Sequence, residues 1–180
     1  GCQDPGSRVW LSPADAPHRK LKWTWELVEA RGVLVGINTA LPNALVAEAA
    51  ALGSFPALAG YERVRREVRY GDERSRIDVL LESGPPAAPT ARCWVEVKNA
   101  TLVRGDRALF PDAVTVRGTK HLRELGAQVA AGDRAILVFT VQRADAVSVS
   151  PADDIDPDYG RALRVASAAG VELLALQAEV

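Results

Sequence analysis

Apolar and polar residues alternate with a period of two in two segments near the start of the chain. The segments are residues 8–12 and 20–28, and this alternation is typical of β-strands with one buried face. Gly32 separates the second segment from an apolar run at residues 33–37. The pattern therefore predicts a β-hairpin within an antiparallel sheet that has too few strands to close a barrel.

Helical spacing replaces this alternation after residue 42. Leu45, Ala49 and Leu52 recur on one helical face, which predicts a helix over this stretch. Asn43 is the candidate N-cap, because its side chain can accept a hydrogen bond from a first-turn N–H. Gly53 is the candidate stop, because glycine readily adopts the left-handed conformation that ends many helices.

Three strand patterns follow in close succession, at residues 64–70, 76–82 and 93–98. The dipeptide Gly71-Asp72 is typical of a tight turn and separates the first two. A loop rich in proline and alanine, residues 83–89, separates the second from the third.

The second half of the chain alternates helical and strand patterns. A helix is predicted over residues 116–131, with Leu122, Leu125 and Val129 on one face. Residues 135–141 form a nearly continuous apolar run, which is typical of a strand buried on both faces. We therefore expect this strand at the centre of the sheet.

A last helix and a last strand complete the pattern. Asp156 and Pro157 suit the cap and first turn of a helix that ends before Gly170, and residues 171–176 resemble a strand. After residue 40 the predicted order is α-β-β-β-α-β-α-β. This order predicts an α/β (α+β) fold in which helices flank a mixed sheet.

Composition narrows the class of protein. The 180 residues are 48% hydrophobic, which is enough for a substantial core. No apolar run reaches the roughly 20 residues of a membrane span, and no cleavable leader opens the sequence. We therefore expect a soluble, cytoplasmic protein that does not bind membranes. The chain contains no methionine, so we also expect that residues upstream of Gly1 are missing.

Charge and motif content exclude several functions. With 22 basic and 23 acidic residues, the chain is not a globally cationic nucleic-acid binder. Its cysteines and histidines are too few for a zinc finger, and both thiols are expected to be free. The phosphate-binding loop of nucleotide hydrolases and the nucleophile motif of serine hydrolases are absent from the sequence. Any chemistry must therefore come from a local site.

One strand carries a candidate site. Alternation along residues 93–98 places Glu96 and Lys98 on the same face. If the preceding strand pairs antiparallel, it brings Asp78 beside them. Two carboxylates and an ammonium group suit phosphodiester hydrolysis assisted by Mg²⁺ or Mn²⁺, since oxygen ligands hold the cation and the lysine lies near the attacking water. The alternative is an ordinary cross-strand salt bridge on a solvated face.

The order of these residues along the elements resembles the αβββαβ core of the PD-(D/E)xK nuclease superfamily. That resemblance implies that Asp78, Glu96 and the carbonyl of Val97 bind the metal and that Lys98 orients or activates water. Glu48 matches the first-helix carboxylate of many such nucleases and would assist with metal or water. The alternative for Glu48 is a surface glutamate.

A closer resemblance rests on short strings spread over the whole chain. They are Pro5-Gly6-Ser7-Arg8-Val9-Trp10, Trp25-Glu26-Leu27, Ile37-Asn38-Thr39, Asn43-Ala44-Leu45-Val46, Arg65-Arg66-Glu67-Val68, Ser75-Arg76-Ile77-Asp78, Val95-Glu96-Val97-Lys98-Asn99, Phe110-Pro111-Asp112-Ala113-Val114-Thr115, Arg117-Gly118 and Lys120-His121-Leu122-Arg123-Glu124-Leu125. Together they resemble the bacterial sugar fermentation stimulation protein family. The resemblance implies a partial OB-fold at residues 1–40, a nuclease-like domain at residues 41–180, and DNA binding tied to the regulation of sugar catabolism.

OB-folds bind single strands through basic grooves and stacking aromatic side chains. The candidate contacts in this segment are Arg8, Lys20, Lys22 and the tryptophans Trp10, Trp23 and Trp25. The alternative for the tryptophans is packing in the core, and for Trp23 both interpretations stay open. For Trp10 and Trp25 we expect packing in the core instead.

Two further groups are candidates for contacts with the nucleic-acid backbone. In the helix from residue 116, a polar stripe formed by Arg117, Lys120, His121 and Glu124 lies opposite the leucines. Such a stripe can be a solvated face, but in a PD-(D/E)xK arrangement this helix packs beside the metal-binding strands. We therefore predict phosphate contacts for Arg117 and Lys120, and a structural role for His121.

Arg65 and Arg66 are the second group, although neighbouring acidic residues can pair with most of the arginines in that strand. Asp112 is either a further metal ligand or a helix cap, and we favour the cap.

Two functions follow from these observations. The first is a Mg²⁺-dependent nuclease that acts on DNA. The second is a DNA-binding regulator of sugar catabolism that keeps the nuclease fold without turnover. The sequence leaves open the preferred nucleic acid and the oligomeric state.

Overall fold

The computed structural model of the chain describes residues 2–14, 18–71 and 75–178. Its first sheet consists of β1 (Val9–Pro13), β2 (Trp23–Ala30) and β3 (Val33–Gly36), which pair antiparallel in that order. Arg31 and Gly32 connect β2 to β3 with φ of 55° and 78°, the backbone of a two-residue hairpin turn. The predicted hairpin is therefore confirmed.

The first helix, α1 (Leu41–Leu52), begins earlier than predicted. Its N-cap is Ala40, and Asn43 lies inside the first turn. The assignment of Asn43 as the N-cap is wrong because the amide of Asn43 donates to Asp78 instead. The helix ends at Gly53 with φ of 65°, as predicted.

The rest of the described chain forms two further sheets and two further helices. In chain order, the elements are a 3₁₀ turn (Pro56–Leu58), β4 (Arg63–Tyr70), β5 (Ser75–Ser83), β6 (Ala91–Asn99), β7 (Leu102–Arg104), β8 (Arg107–Phe110), α2 (Val116–Ala130), β9 (Arg134–Val141), β10 (Ser148–Pro151), α3 (Pro157–Ala168) and β11 (Glu172–Gln177). Five strands form the central sheet in the order β11-β9-β6-β5-β4. The strands β4, β5 and β6 pair antiparallel, whereas β9 and β11 run parallel to β6, so the sheet is mixed as predicted.

Helices cover both faces of the central sheet. On one face, α1 packs through Val46 and Ala50 against apolar residues of β5, β6 and β9. On the other face, α2 and α3 pack through residues such as Leu122, Leu125 and Tyr159. This arrangement confirms the predicted fold class. None of the helices in the described ranges is long and apolar enough to cross a membrane.

Side chains cap both later helices. Thr115 Oγ1 accepts from the N–H of Gly118 at 3.0 Å at the start of α2. Asp156 Oδ1 accepts from the N–H of Tyr159 at 2.9 Å at the start of α3, as predicted. The N-cap of α2 is Thr115, so the assignment of Asp112 as a helix cap is wrong; Asp112 is exposed in the loop before α2.

A small sheet of three strands was not predicted. It has the order β10-β8-β7 and encloses a cluster that includes Ala100, Ala108 and Ala146. Its strands contain only three or four residues each, which is too short for alternation to reveal. The predicted turn at Gly71-Asp72 falls partly outside the described residues, because Asp72 is not among them.

The alternation along β5 changes at Asp78. The two-residue period of a strand predicts Ile77, Val79 and Leu81 on one face, but Ile77 packs in the α2 and α3 cluster while Val79 and Leu81 pack beneath α1. The prediction for Ile77 is therefore wrong. Pairing of β5 with β6 ends at Val79, so the strand is free to twist at the residue that carries the candidate carboxylate.

Candidate metal and nucleic-acid site

The strand registers align three acidic residues across the central sheet. Antiparallel pairing joins Val79 of β5 to Val95 of β6, and the next position along each strand holds Asp78 and Glu96. The pairing of β4 with β5 likewise leaves Glu67 opposite Asp78. At this position opposite Asp78, Glu67 has φ of 55°, which is rare for a residue other than glycine.

Asp78 is held from two sides. Its Oδ1 accepts from Asn43 Nδ2 at 2.7 Å, and its Oδ2 accepts from the N–H of Val97 at 2.8 Å. Burial raises the pKa of Asp78 to about 6, and the charge of Glu96 acts in the same direction. The N–H of Val97 and the ammonium of Lys98 oppose this shift without cancelling it.

Glu96 is almost fully enclosed, with its side chain 2% exposed. Its Oε1 accepts from Lys98 Nζ at 2.6 Å and also contacts His121 Nδ1. Its Oε2 has no hydrogen-bond partner among the described residues. Burial pushes the pKa of Glu96 upward, but the bonds from His121 and the charge of Lys98 outweigh it, so the pKa lies below its usual value.

Lys98 and His121 complete this cluster. The Lys98 side chain is 14% exposed, and its Nζ lies 3.4 Å from His121 Nδ1. On the other side of the imidazole, Arg117 Nε lies 3.3 Å from His121 Nε2. His121 therefore contacts the candidate site directly, whereas the sequence predicted a structural role for it. Its only sequence signal was its place one turn after Arg117 on the same helical face.

Asn43 and Glu67 are the other residues at this site that sequence reasoning missed. The sequence predicted a cap for Asn43, and Glu67 was only one of the acidic residues that can pair with the arginines of its strand. No signal in a single sequence reports a contact between residues 43 and 78, because it depends on how α1 lies on the sheet.

Glu48 lies elsewhere on α1. It is exposed and borders a cavity of about 280 Å³ that is lined mainly by apolar side chains of α1 and β11. Neither Asp78, Glu96 nor Lys98 borders that cavity. The helix thus brings Asn43, and not Glu48, to the candidate site.

The candidate phosphate contacts differ in their surroundings. Arg117 is exposed at the start of α2, and Lys120 follows one turn later with partial burial. Arg66 is exposed on β4, whereas Arg65 Nη1 lies 3.4 Å from Oε2 of the buried Glu82. The α2 stripe is not a solvated face as a whole, because His121 and Glu124 are both buried.

Two tryptophans of the first sheet are exposed. Trp23 is 56% exposed and Trp25 is 44% exposed, so the expectation that Trp25 packs in the core is wrong. Their partners on β1 are Pro13 and Leu11, and this face of β1 and β2 is apolar and open. Lys22 is exposed directly before β2.

The donor set suits a cation that takes few protein ligands. Among the described residues, no group of three or more histidine, cysteine, aspartate or glutamate side chains is arranged to hold a metal ion. Asp78 and Glu96 alone offer two carboxylates, one of them with a free buried oxygen. Mg²⁺ commonly uses one or two carboxylates and completes its shell with water and phosphate oxygens.

Comparison with known proteins identifies the family. Residues 40–180 match the family described as "Sugar fermentation stimulation protein RE domain", and residues 1–37 match the family described as "SfsA N-terminal OB domain". The chain belongs to the sugar fermentation stimulation protein family. The sequence resemblance and the N-terminal OB assignment are thereby confirmed.

Relatives match over the full chain. The sugar fermentation stimulation protein homolog of Geobacter metallireducens is 61% identical over 180 residues, which cover 100% of this chain and 75% of the relative. The homolog of Pelobacter propionicus is 60% identical over 100% of this chain and 76% of the relative. A solved structure, "The structure of Pyrococcus Furiosus SfsA in complex with Ca2+", has a TM-score of 0.86 and 30% identity, covering 98% of this chain and 72% of that chain.

Proposed function

We propose that this member of the sugar fermentation stimulation family is a DNA-binding protein with a metal-dependent nuclease site. The observation that carries the proposal is Oε2 of Glu96, a buried carboxylate oxygen that has no hydrogen-bond partner among the described residues and lies near a second, half-buried carboxylate, Asp78. A buried oxygen of this kind costs free energy unless a ligand satisfies it. A divalent cation would satisfy it and would also relieve the repulsion between the two carboxylates.

In this proposal Asp78, Glu96 and the carbonyl of Val97 hold Mg²⁺ or Mn²⁺. The N–H of Val97 points toward Asp78, and in a strand the C=O of the same residue points to that side as well. The family relative from Pyrococcus furiosus is described in complex with Ca²⁺, which supports a divalent cation in this family. When bound, the cation would polarise a phosphodiester oxygen and favour the attack of water.

In this proposal Lys98 acts on the phosphodiester. Its Nζ donates to Glu96 Oε1 at 2.6 Å, and its charge also acts on Asp78. In this position the ammonium orients the attacking water and stabilises the charge that develops on the phosphate. Arg117, Lys120 and Arg66 then position the nucleic-acid backbone, with Arg65 at the edge of that surface.

The exposed face of the first sheet supplies a second contact area in this proposal. Trp23 stacks on unpaired bases, and Lys22 approaches the phosphates. Residues 1–40 thus contribute the OB-type binding segment and residues 41–180 the nuclease-like domain.

A regulator without turnover is the second candidate. Both oxygens of Asp78 already accept hydrogen bonds, and Glu48 borders a separate cavity. A site with so few available ligands can bind DNA and a cation without cleaving the strand. This observation favours the regulator as the second candidate function.

Nuclease activity and metal binding are tested together. Wild-type protein, Asp78→Asn and Glu96→Gln are incubated with single-stranded, double-stranded and branched DNA in Mg²⁺ or Mn²⁺, and thermal unfolding is followed with and without each cation. Glu48→Gln is the matched control, because Glu48 lies outside the carboxylate cluster. We expect nicking and stabilisation by the cation in the wild type and the control but not in the other variants. Stabilisation without nicking on any substrate would favour the regulator, and the absence of both would refute the metal site.

A further inference from the structure

A chain of contacts runs from the surface of α2 to the carboxylate of Glu96. Arg117 Nε lies 3.3 Å from His121 Nε2, and His121 Nδ1 contacts Glu96 Oε1. Lys98 Nζ reaches the same oxygen at 2.6 Å. Arg117 and His121 are four residues apart, so they share one face of the helix.

The contact between Arg117 and His121 favours one of the two imidazole tautomers. The Nε–H of Arg117 donates to His121 Nε2 at 3.3 Å, so Nε2 is the acceptor in this contact. A neutral imidazole then has its proton on Nδ1, from which it donates to Glu96 Oε1. In this tautomer Lys98 Nζ and His121 Nδ1 both donate to one acceptor oxygen, Glu96 Oε1.

This arrangement gives the two carboxylate oxygens of Glu96 different hydrogen-bond partners. Oε1 receives two donors, which occupy both of its lone pairs, while Oε2 receives none from the described residues. The terminal torsion of a glutamate is soft, so without these donors the carboxylate could rotate and exchange its oxygens. The donors hold it in one orientation.

We propose that Arg117 and His121 are positioning residues for the cation site, which fix the carboxylate of Glu96 so that Oε2 is the oxygen offered to the metal. Arg117 fixes the imidazole tautomer, and His121 fixes the carboxylate. Neither residue touches the cation or the scissile bond. The inference rests on the proposed function, because it assigns a role within the same site.

Substitutions at His121 distinguish positioning from simple packing. His121→Asn keeps an N–H close to the position of Nδ1, whereas His121→Leu keeps bulk and removes the donor. Mn²⁺ binding to the full chain is measured from the loss of the electron paramagnetic resonance signal of free Mn²⁺. We expect His121→Leu to bind Mn²⁺ about 10- to 100-fold more weakly, and His121→Asn to recover most of that loss. Equal Mn²⁺ affinity for wild type and His121→Leu would overturn the inference but leave the proposed function intact.

The imidazole tautomer is measured without metal and in the wild type, so it does not depend on whether a variant folds. We expect the ¹⁵N chemical shifts of His121 to show a protonated Nδ1 and an unprotonated Nε2, and Arg117→Ala to lose this preference while Arg107→Ala, which removes another exposed arginine, retains it. A proton on Nε2 of the wild type would overturn the inference directly. If the wild type binds no Mn²⁺, the proposed metal site itself is refuted and this role falls with it.

Discussion

Asp78→Asn should stabilise the metal-free protein at neutral pH. The pKa of Asp78 rises from 3.8 to about 6 on folding, chiefly because the carboxyl group is buried and secondly because Glu96 lies beside it. At about 1.4 kcal/mol per pH unit, keeping Asp78 ionised in the folded protein costs about 3 kcal/mol. Asparagine has the same shape and carries no charge, so it removes this cost.

The hydrogen bonds of Asp78 can survive the substitution. The new side chain can still accept from the N–H of Val97 through its oxygen. Its amide would face the amide of Asn43, which can rotate by half a turn and present its own oxygen as the acceptor. We therefore expect a net gain in the free energy of unfolding of about 1 to 3 kcal/mol at pH 7, the lower value allowing for weaker, uncharged hydrogen bonds.

The stability advantage of Asp78→Asn should depend on pH. Because the pKa of Asp78 is higher in the folded protein than in the unfolded chain, the folded protein binds this proton more tightly. The free-energy cost of keeping Asp78 ionised in the folded protein is complete above about pH 6 and disappears as the pH falls toward 3.8. The stability advantage of Asp78→Asn over the wild type should therefore halve by about pH 5. Adding Mg²⁺ at about 100 times its Kd should stabilise only the wild type, by about 2.7 kcal/mol.

Urea unfolding of wild type and Asp78→Asn at pH 7 and pH 5, in EDTA and in Mg²⁺, measures these differences. A variant that is less stable than the wild type at pH 7 in EDTA would refute the reasoning, since an ordinary salt bridge with Lys98 loses stability on this substitution. An advantage that does not change between pH 7 and pH 5 would show that it does not come from the charge of Asp78.

Three further predictions concern other parts of the molecule. Replacing Arg117 and Lys120 together by alanine should lower DNA affinity equally for different sequences and flatten the slope of log affinity against log salt by roughly 0.7 to 0.9 per lost contact; an unchanged slope would exclude both from the interface. Trp23→Ala should weaken binding of a single-stranded oligonucleotide by about 1 to 3 kcal/mol in a fluorescence titration without lowering the Tm, because this side chain is 56% exposed; an unchanged affinity would remove it from the binding face. Gly71→Ala should destabilise the protein by more than about 1 kcal/mol in urea unfolding, because Gly71 has φ of 68° and an added Cβ would lie 2.9 Å from Cδ of the buried Glu124; a neutral effect would mean that the turn relaxes without cost.

Local sequence patterns determined much of the framework. The helix stop at Gly53, the cap at Asp156 and the buried strand at 134–141 each depend on residues within a few positions of one another, so a single sequence reports them. The same holds for the shared face of Glu96 and Lys98, which follows from the two-residue period of a strand. To predict that Asp78 lies near Glu96, only one further assumption was needed, which is that the adjacent strands β5 and β6 pair antiparallel.

Tertiary structure decided which side chains meet at the site. Packing of Val46 and Ala50 against the sheet sets the rotation of α1, and that rotation directs Asn43 to Asp78 while Glu48 faces another cavity. The docking of α2 likewise brings His121 to Glu96, a residue 25 positions earlier in the chain. Periodicity shows that a position is buried or exposed on average, but it carries no information about the neighbour across the interface. The orientation of the Glu96 carboxylate, on which the proposed cation site depends, is therefore a property of the packed molecule and not of any one segment.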